Sequence, residues 1–231
     1  MDIFVGTSGW YYEWNKKKNL DWFIQNSGLN SVELNASFYR FPSPKQVESW
    51  SIKGTGLRWS VKVHRSITHW RQFSESALET WESFQELFGP MDHLIDFYLF
   101  QAPPKFKDAA KALSFAEKTG LGKRFAFEIR NKELLGNAEA DTEVYEHLME
   151  NVTPVSVDSP DYVNKIFPGK IIYMRMHGRE SWYSYDYSKE EIGEILRKIA
   201  HFQPEKVYIY YNNDHNMLEN AKLTLKAFSQ M

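Results

Sequence analysis

Cysteine is absent from the 231-residue chain. Its absence removes disulfides, thiolate zinc sites, cysteine-held iron–sulfur clusters and a cysteine nucleophile. No apolar run approaches the roughly 18 residues that span a bilayer. Proline and glycine number only 9 and 12, and nowhere do they gather with serine into a linker or low-complexity tract. Neither sign of charge dominates: 28 Lys and Arg against 30 Asp and Glu give a formal net charge of −2, so no global basic field recruits nucleic acid. The opening residues, Met1-Asp2-Ile3-Phe4-Val5-Gly6, lack a basic segment followed by an apolar stretch, so no signal peptide is expected. A cytoplasmic protein without a membrane partner is the expectation.

Aromatic residues are plentiful: they make up 16% of the chain, with 8 Trp and 13 Tyr. The hydrophobic and charged fractions, 42% and 25%, are those of a globular protein. One α/β barrel domain can use the whole length, 1–231.

Short β-rich runs alternate with helical patterns. The runs are Ile3–Gly6, Ser31–Asn35, Leu57–His64, Leu94–Gln101, Arg124–Arg130, Thr153–Asp158, Lys170–His177 and Lys206–Asn212. Ser43-Pro44 with Gln46 reads as a helix start with a capping partner, and Ser188 with Glu191 as a second capping box. Ala77, Leu78, Trp81, Phe84 and Phe88 recur at helical spacing, as do Ala109, Leu113 and Ala116, then Ile192, Ile195, Leu196 and Ile199, then Leu218, Ala221, Leu225 and Phe228. The sixth connection, 159–169, has room for little more than a turn or two. Eight strands alternating with helices predict an α/β fold, a single TIM-type (β/α)8 barrel with a reduced sixth helix. An open eight-stranded sheet is the alternative.

Side chains alternate sides along a strand. Val32 and Leu34 oppose Glu33 and Asn35; Val61 and Val63 oppose Ser60, Lys62 and His64; Phe125, Phe127 and Ile129 oppose Ala126, Glu128 and Arg130. Likewise Val155 and Val157 oppose Ser156 and Asp158; Ile172, Met174 and Met176 oppose Tyr173, Arg175 and His177; Val207, Ile209 and Tyr211 oppose Tyr208, Tyr210 and Asn212. The apolar parity is expected to face the helices. The polar one gathers Glu33, Asn35, Lys62, His64, Gln101, Glu128, Arg130, Asp158, Arg175, His177, Asn212 and the adjoining Asp214 at the strand C-termini, the end where this fold places active sites. The bland alternative is a salt-bridged interior layer, for instance Glu128 with Lys62 and Asp158 with Arg175.

The same segments resemble the YecE-like family, domain of unknown function 72. The matching pieces are Val5-Gly6-Thr7-Ser8-Gly9-Trp10-Tyr11 with Trp14, Val32-Glu33-Leu34-Asn35 with Phe38-Tyr39-Arg40-Phe41-Pro42, and Ser60-Val61-Lys62-Val63-His64-Arg65 with Thr68-His69. Phe100-Gln101-Ala102-Pro103-Pro104-Lys105-Phe106, Phe127-Glu128-Ile129-Arg130, Met174-Arg175-Met176-His177-Gly178 with Tyr187-Ser188, and Tyr211-Asn212-Asn213-Asp214 with Asn220-Ala221 complete the match. The resemblance implies a TIM-type barrel and no settled activity. Family members usually carry His after the Glu-x-Arg of the fifth strand, where this chain has Asn131.

The residue types suit several chemistries. Gly6-Thr7-Ser8-Gly9 is one residue short of a nucleophile elbow. Glu33, Glu128, Asp158 and His177 have the ligand types of a divalent-metal barrel, but Lys62, Arg130 and Arg175 would repel a cation, and no strong metal or nucleotide-cofactor motif appears. Paired carboxylates would also serve glycoside hydrolysis. The favoured reading is a hydrolytic or isomerising enzyme for a small anionic, phosphate- or sugar-containing substrate or nucleotide. In it Glu33, His64, Glu128, Asp158 and His177 carry acid–base catalysis, and Trp10, Tyr39, Lys62, Gln101, Arg130, Arg175, Asn212, Asn213 and Asp214 bind substrate. The second reading is a nucleotide- or single-strand-binding or processing protein. It rests on the loop aromatics (Trp10-Tyr11-Tyr12 with Trp14, Phe38-Tyr39 with Phe41, His69-Trp70, Trp182-Tyr183 with Tyr185 and Tyr187) near Lys16-Lys17-Lys18. Those aromatics equally suit a packed lid.

Overall fold

The computed structural model describes residues 1–136 and 150–229. Its strands are β1 (Asp2–Thr7), β2 (Ser31–Leu34), β3 (Arg58–Lys62), β4 (Ile95–Gln101), β5 (Phe125–Glu128), β6 (Thr153–Ser159), β7 (Tyr162–Lys165), β8 (Ile171–Met176) and β9 (Lys206–Tyr211). The helices described are α1 (Leu20–Asn26), α2 (Ala36–Tyr39), α3 (Pro44–Lys53), α4 (Glu75–Phe88), α5 (Ala109–Thr119), α6 (Lys132–Gly136), α7 (Lys189–His201) and α8 (Met217–Phe228). None is long and apolar enough to cross a membrane.

The strand order is β1-β9-β8-β6-β5-β4-β3-β2, with β7 added beside β6. The ladders β1–β9, β9–β8, β8–β6, β6–β5 and β5–β4 are parallel. The order runs steadily through the sequence, without the reversal that marks a doubly wound sheet, and is that of a (β/α)8 barrel. All eight expected strands are present. The sixth connection differs from expectation: it carries a strand, β7, in place of a turn of helix. Pro160 and Asp161 form a tight turn after β6, Tyr162 N donates to Ser159 Oγ at 3.2 Å, and β7 returns antiparallel. Proline presets the turn, and Tyr162-Val163 favours extended backbone over helix.

The chain forms two compact units. The first comprises Met1–Leu34, Ile52–Trp59 and Val155–Met231. Asn19 starts α1 by accepting from Trp22 N, and the expected Ser188–Glu191 capping box starts α7. Where β1 passes β2, the Asn30 side chain accepts from Val5 N and donates to Ile3 O, both at 2.8 Å. Gly6 permits that approach, since a Cβ there would sit 2.4 Å from Ser31 O. On the parity expected to turn from the helices, Phe4 stacks on Tyr208, Tyr173 meets Tyr210, and Ser31 Oγ pairs with Tyr210 OH at 2.8 Å.

The second unit comprises Asn35–Ser51 and Ser60–Pro154. β4 packs on helices: Trp81 of α4 meets Tyr98 and Phe100, and Phe100 meets Phe115 of α5. Phe100 and Phe125 stack face to face with centroids 3.8 Å apart. Ser43 and Gln46 reciprocate hydrogen bonds at the start of α3, as their spacing predicts. Asn131 caps α6 by accepting from Glu133 N and Leu134 N.

Candidate functional site

In the first unit, β2 and β8 bring Glu33 and Arg175 together, both fully buried. Arg175 Nη2 donates to Glu33 Oε1 at 2.7 Å and its Nε to Oε2 at 3.0 Å. Tyr173 OH adds a bond to Oε2 at 2.6 Å and Ser8 Oγ one to Oε1 at 3.0 Å. At least four donor groups therefore hold this one buried carboxylate in place. The Tyr173 phenol is pushed well above its usual range by burial and by the Glu33 charge, so it stays a donor. Ser8 is a strut of this pair, consistent with the incomplete elbow motif.

Asp158, at the end of β6, pairs with Arg179 from the loop after β8: Arg179 Nε lies 3.0 Å from Asp158 Oδ2. Asp158 Oδ1 accepts from Asn164 N at 2.6 Å. Arg179 also donates to Asn164 Oδ1, and to Glu191 and Glu194 of α7. Burial opposes the Arg179 charge, but its bond to Asp158 and the surrounding carboxylates outweigh that, and its pKa is raised. Tyr185 OH donates to Glu191 Oε1 at 2.6 Å, and that bond, with burial, pushes the phenol up to about 12. This clasp ties the β6–β7 hairpin, the β8 loop and α7 together. Parity along strands could not reveal Arg179, because loop residues have no period.

His177 is fully buried; its Nδ1 accepts from Asn212 Nδ2 at 3.3 Å, and Trp182 and Tyr183 pack on its ring. Asn213 is a connector, donating to Tyr185 O and Asn220 Oδ1, both at 2.7 Å. Asp214 opens a short 3-10 turn with a left-handed φ of 49°. Trp10 packs edge-on against Trp59, and Trp14 packs among Tyr12, Trp22 and Phe23. Lys18 pairs with Glu13. Much of the first aromatic loop is thus used in packing, with Tyr11 exposed.

The second unit holds a different constellation. Glu128, nearly fully buried at the end of β5, accepts from Arg130 Nε at 2.6 Å, so its partner includes Arg130 two residues on. Gln101 and Glu128 are ladder neighbours. Lys62, buried at the end of β3, places Nζ 4.1 Å from the centroid of Phe38. A π turn, Ser66–Trp70, follows β3. It sets His69 edge-on against Phe38, with Nδ1 2.8 Å from Thr68 Oγ1.

His64 Nδ1 receives Ser66 N at 3.2 Å. A backbone N–H can only donate, so the neutral ring carries its proton on Nε2, facing the Tyr39 carbonyl, while burial lowers its pKa. Through Nδ1, His64 helps hold the turn that follows β3. His69 is the more responsive ring. Burial and then the charges of Lys62, Arg130 and Arg65 lower its pKa to about 4. In the sequence His69 stands out only as a rim aromatic beside Trp70; the signal for more is its place in the loop after the Lys62–His64 strand end.

The four conceivable metal ligands are not gathered: among the described residues no group of three or more His, Asp or Glu is placed to hold an ion. Glu33, Asp158 and Glu128 each face an arginine.

A family model described as "Protein of unknown function DUF72" matches residues 4–231. No curated protein matches the chain in sequence. A DUF72 family protein of Enterococcus faecalis V583 superposes with TM-score 0.81 at 21% identity, covering 98% of this chain and 95% of that one. One from Thermotoga maritima MSB8 gives 0.73 at 24%, covering 100% of both. D-psicose 3-epimerase from Clostridium cellulolyticum H10, crystallised with D-tagatose, gives 0.58 at 14%, covering 100% of this chain and 98% of that one. These likenesses concern the fold.

Proposed function

The chain belongs to the DUF72 family of proteins of unknown function, and from that premise we propose that it is an enzyme that holds a small substrate's anionic group with Lys62, Arg65 and Arg130 and moves a proton with His69. One arrangement carries the reading: His69 meets Phe38 edge-on, Lys62 Nζ lies 4.1 Å from the centroid of that same ring, and burial and then the charges of Lys62, Arg130 and Arg65 lower the pKa of the imidazole. Unliganded, burial first and those charges second keep His69 neutral and a weak base. An anion among the cations offsets the field and raises the ring's proton affinity, so substrate arrival itself brings His69 toward the range useful for acid–base catalysis. Glu128 holds Arg130 in place and supplies the carboxylate of the pair.

Isomerising chemistry is the favoured form. Proton transfer at carbon needs a base that later returns the proton, and the fold is shared with a protein named as a sugar epimerase. The test uses sulfate, which does not titrate near neutrality. Calorimetry at pH 5.5 in two buffers of different ionisation enthalpy reads proton uptake on binding. Uptake of a sizeable fraction of a proton by the wild type, and none by His69→Gln, is expected. Failure to bind sulfate, or binding without uptake, overturns the reading. With sugar phosphates in deuterium oxide, His69→Gln should slow carbon-bound hydrogen exchange by about 10²–10⁴-fold.

A further inference from the structure

Two aromatic side chains stand in water beside the cation cluster: Tyr39 and Trp70 are each 64% exposed. Leaving an indole face in water forgoes the gain of burying it, yet Trp70 is firmly set. Its backbone lies in the π turn, a feature that recurs at functional sites. The Arg65 guanidinium lies 4.9 Å from the Trp70 ring and 5.9 Å from that of Tyr39. His64 meets Trp70 edge-on at 5.8 Å and is itself wedged against Phe41. The indole is thus a buttressed flat surface, not a loose rim residue.

Two solvent-shielded polar atoms of the same unit have no hydrogen-bond partner among the described residues: Arg65 Nε, a donor on a cation, and Gln101 Oε1, an acceptor. Gln101 is 6% exposed and sits beside Glu128 at the end of β4. A shielded cationic donor suits an anionic oxygen, and a shielded acceptor suits a hydroxyl.

We infer that the ligand is a cyclic sugar phosphate: its phosphate lies among Lys62, Arg65 and Arg130, the apolar face of its ring lies on Trp70, and a ring hydroxyl donates to Gln101 Oε1. This deepens the anion-site reading above and rests on it. A short acyclic phosphate would satisfy the cations and leave Trp70 and Gln101 unused. A nucleotide would use Trp70 through its base and has less need of Gln101.

The experiment measures dissociation constants at pH 7.5 for inorganic phosphate, glycerol 3-phosphate, glucose 6-phosphate, fructose 6-phosphate and adenosine monophosphate, on the wild type, Trp70→Ala, Trp70→Phe and Gln101→Ala. A cyclic hexose phosphate should bind about tenfold tighter than glycerol 3-phosphate, the return on removing roughly 50–60 Å² of apolar surface from water. Trp70→Ala should erase that advantage while inorganic phosphate still binds, and Trp70→Phe should retain part of it. Gln101→Ala should weaken the sugar phosphates and not inorganic phosphate. Hexose phosphates no tighter than glycerol 3-phosphate, with both bound, would overturn the inference and leave the anion site standing. Adenosine monophosphate tightest of all, and equally dependent on Trp70, would overturn the sugar assignment. Binding of no phosphate compound would remove the anion site and this inference together.

Discussion

Glu33→Gln changes one atom, and its cost can be worked from the four bonds the carboxylate accepts. Arg175 supplies two, at 2.7 and 3.0 Å, Tyr173 one at 2.6 Å and Ser8 one at 3.0 Å. A glutamine keeps the shape but turns an amide NH2 toward groups that themselves donate, and it leaves the Arg175 charge without its counterion where neither residue reaches solvent. Breaking a buried pair on one side costs about 3–5 kcal/mol. For a chain of this size that is a fall in Tm of roughly 6–20 °C. Removing the ion pair and the phenol at once, with only the small neutral Ser8 hydroxyl kept, is a different perturbation. Glu33→Leu with Arg175→Met and Tyr173→Phe leaves no stranded charge, and buried pairs replaced by apolar groups of like volume are often neutral. The triple variant should therefore melt above the single one. Calorimetric or circular-dichroism melts of both decide the matter. A Glu33→Gln protein melting within about 2 °C of the wild type, or a triple variant markedly worse than the single, would refute the reasoning.

Three further outcomes follow from the same structure. Because His69 titrates near 4 in the folded chain against 6.5 ordinarily, the unfolded chain binds the extra proton between those values. Stability should rise with pH from about 4 to 6.5 and level off above, by roughly 1–2 kcal/mol once screening of a partly exposed ring is allowed for; urea midpoints of wild type and His69→Gln should diverge only in that window. Arg179→Met should cost about 1–2 kcal/mol, less than loss of Glu33, because its side chain is 14% exposed and water replaces some of its bonds. Amide exchange in the Gly178–Tyr187 loop should quicken at the same time. Gly6→Ala pushes a Cβ to 2.4 Å from Ser31 O, backbone that cannot swing aside, and should cost more than about 2 kcal/mol in urea unfolding, with exchange at Val5 reporting the parted strands.

The strands were legible because a period of two survives in the sequence: Ile172, Met174 and Met176 against Tyr173, Arg175 and His177 needs only counting. Capped helices were legible for a related reason, since Ser188 and Glu191 satisfy one another locally. The elements that escaped are short or set by long-range contact. α1 rests on Asn19 alone at its start. β7 exists because β6 offers it an edge and Asp158 takes the amide of Asn164. Ion partners escaped for the same reason. Glu33 and Arg175 are 142 positions apart, and no pattern along the chain joins them. Arg65, His69 and Arg179 lie in loops, whose turns carry no periodic signal even where a strand end predicts that something polar must follow.

The Asn30 bridge bears on how the chain is made. The ladder partner of β1 is β9, the last strand of the sheet to leave the ribosome, so one edge of β1 waits almost the full length of synthesis for its hydrogen bonds. Its other side need not wait. Asn30 is 25 residues from Val5 and 27 from Ile3, a loop inexpensive to close, and its two bonds occupy backbone groups of β1 long before β9 exists. A single amide side chain thereby ties one edge of β1 independently of the strand that pairs with the opposite edge. It holds the amino-terminal segment in an order that the final pairing later completes, and spares the nascent chain an apolar strand with both edges bare.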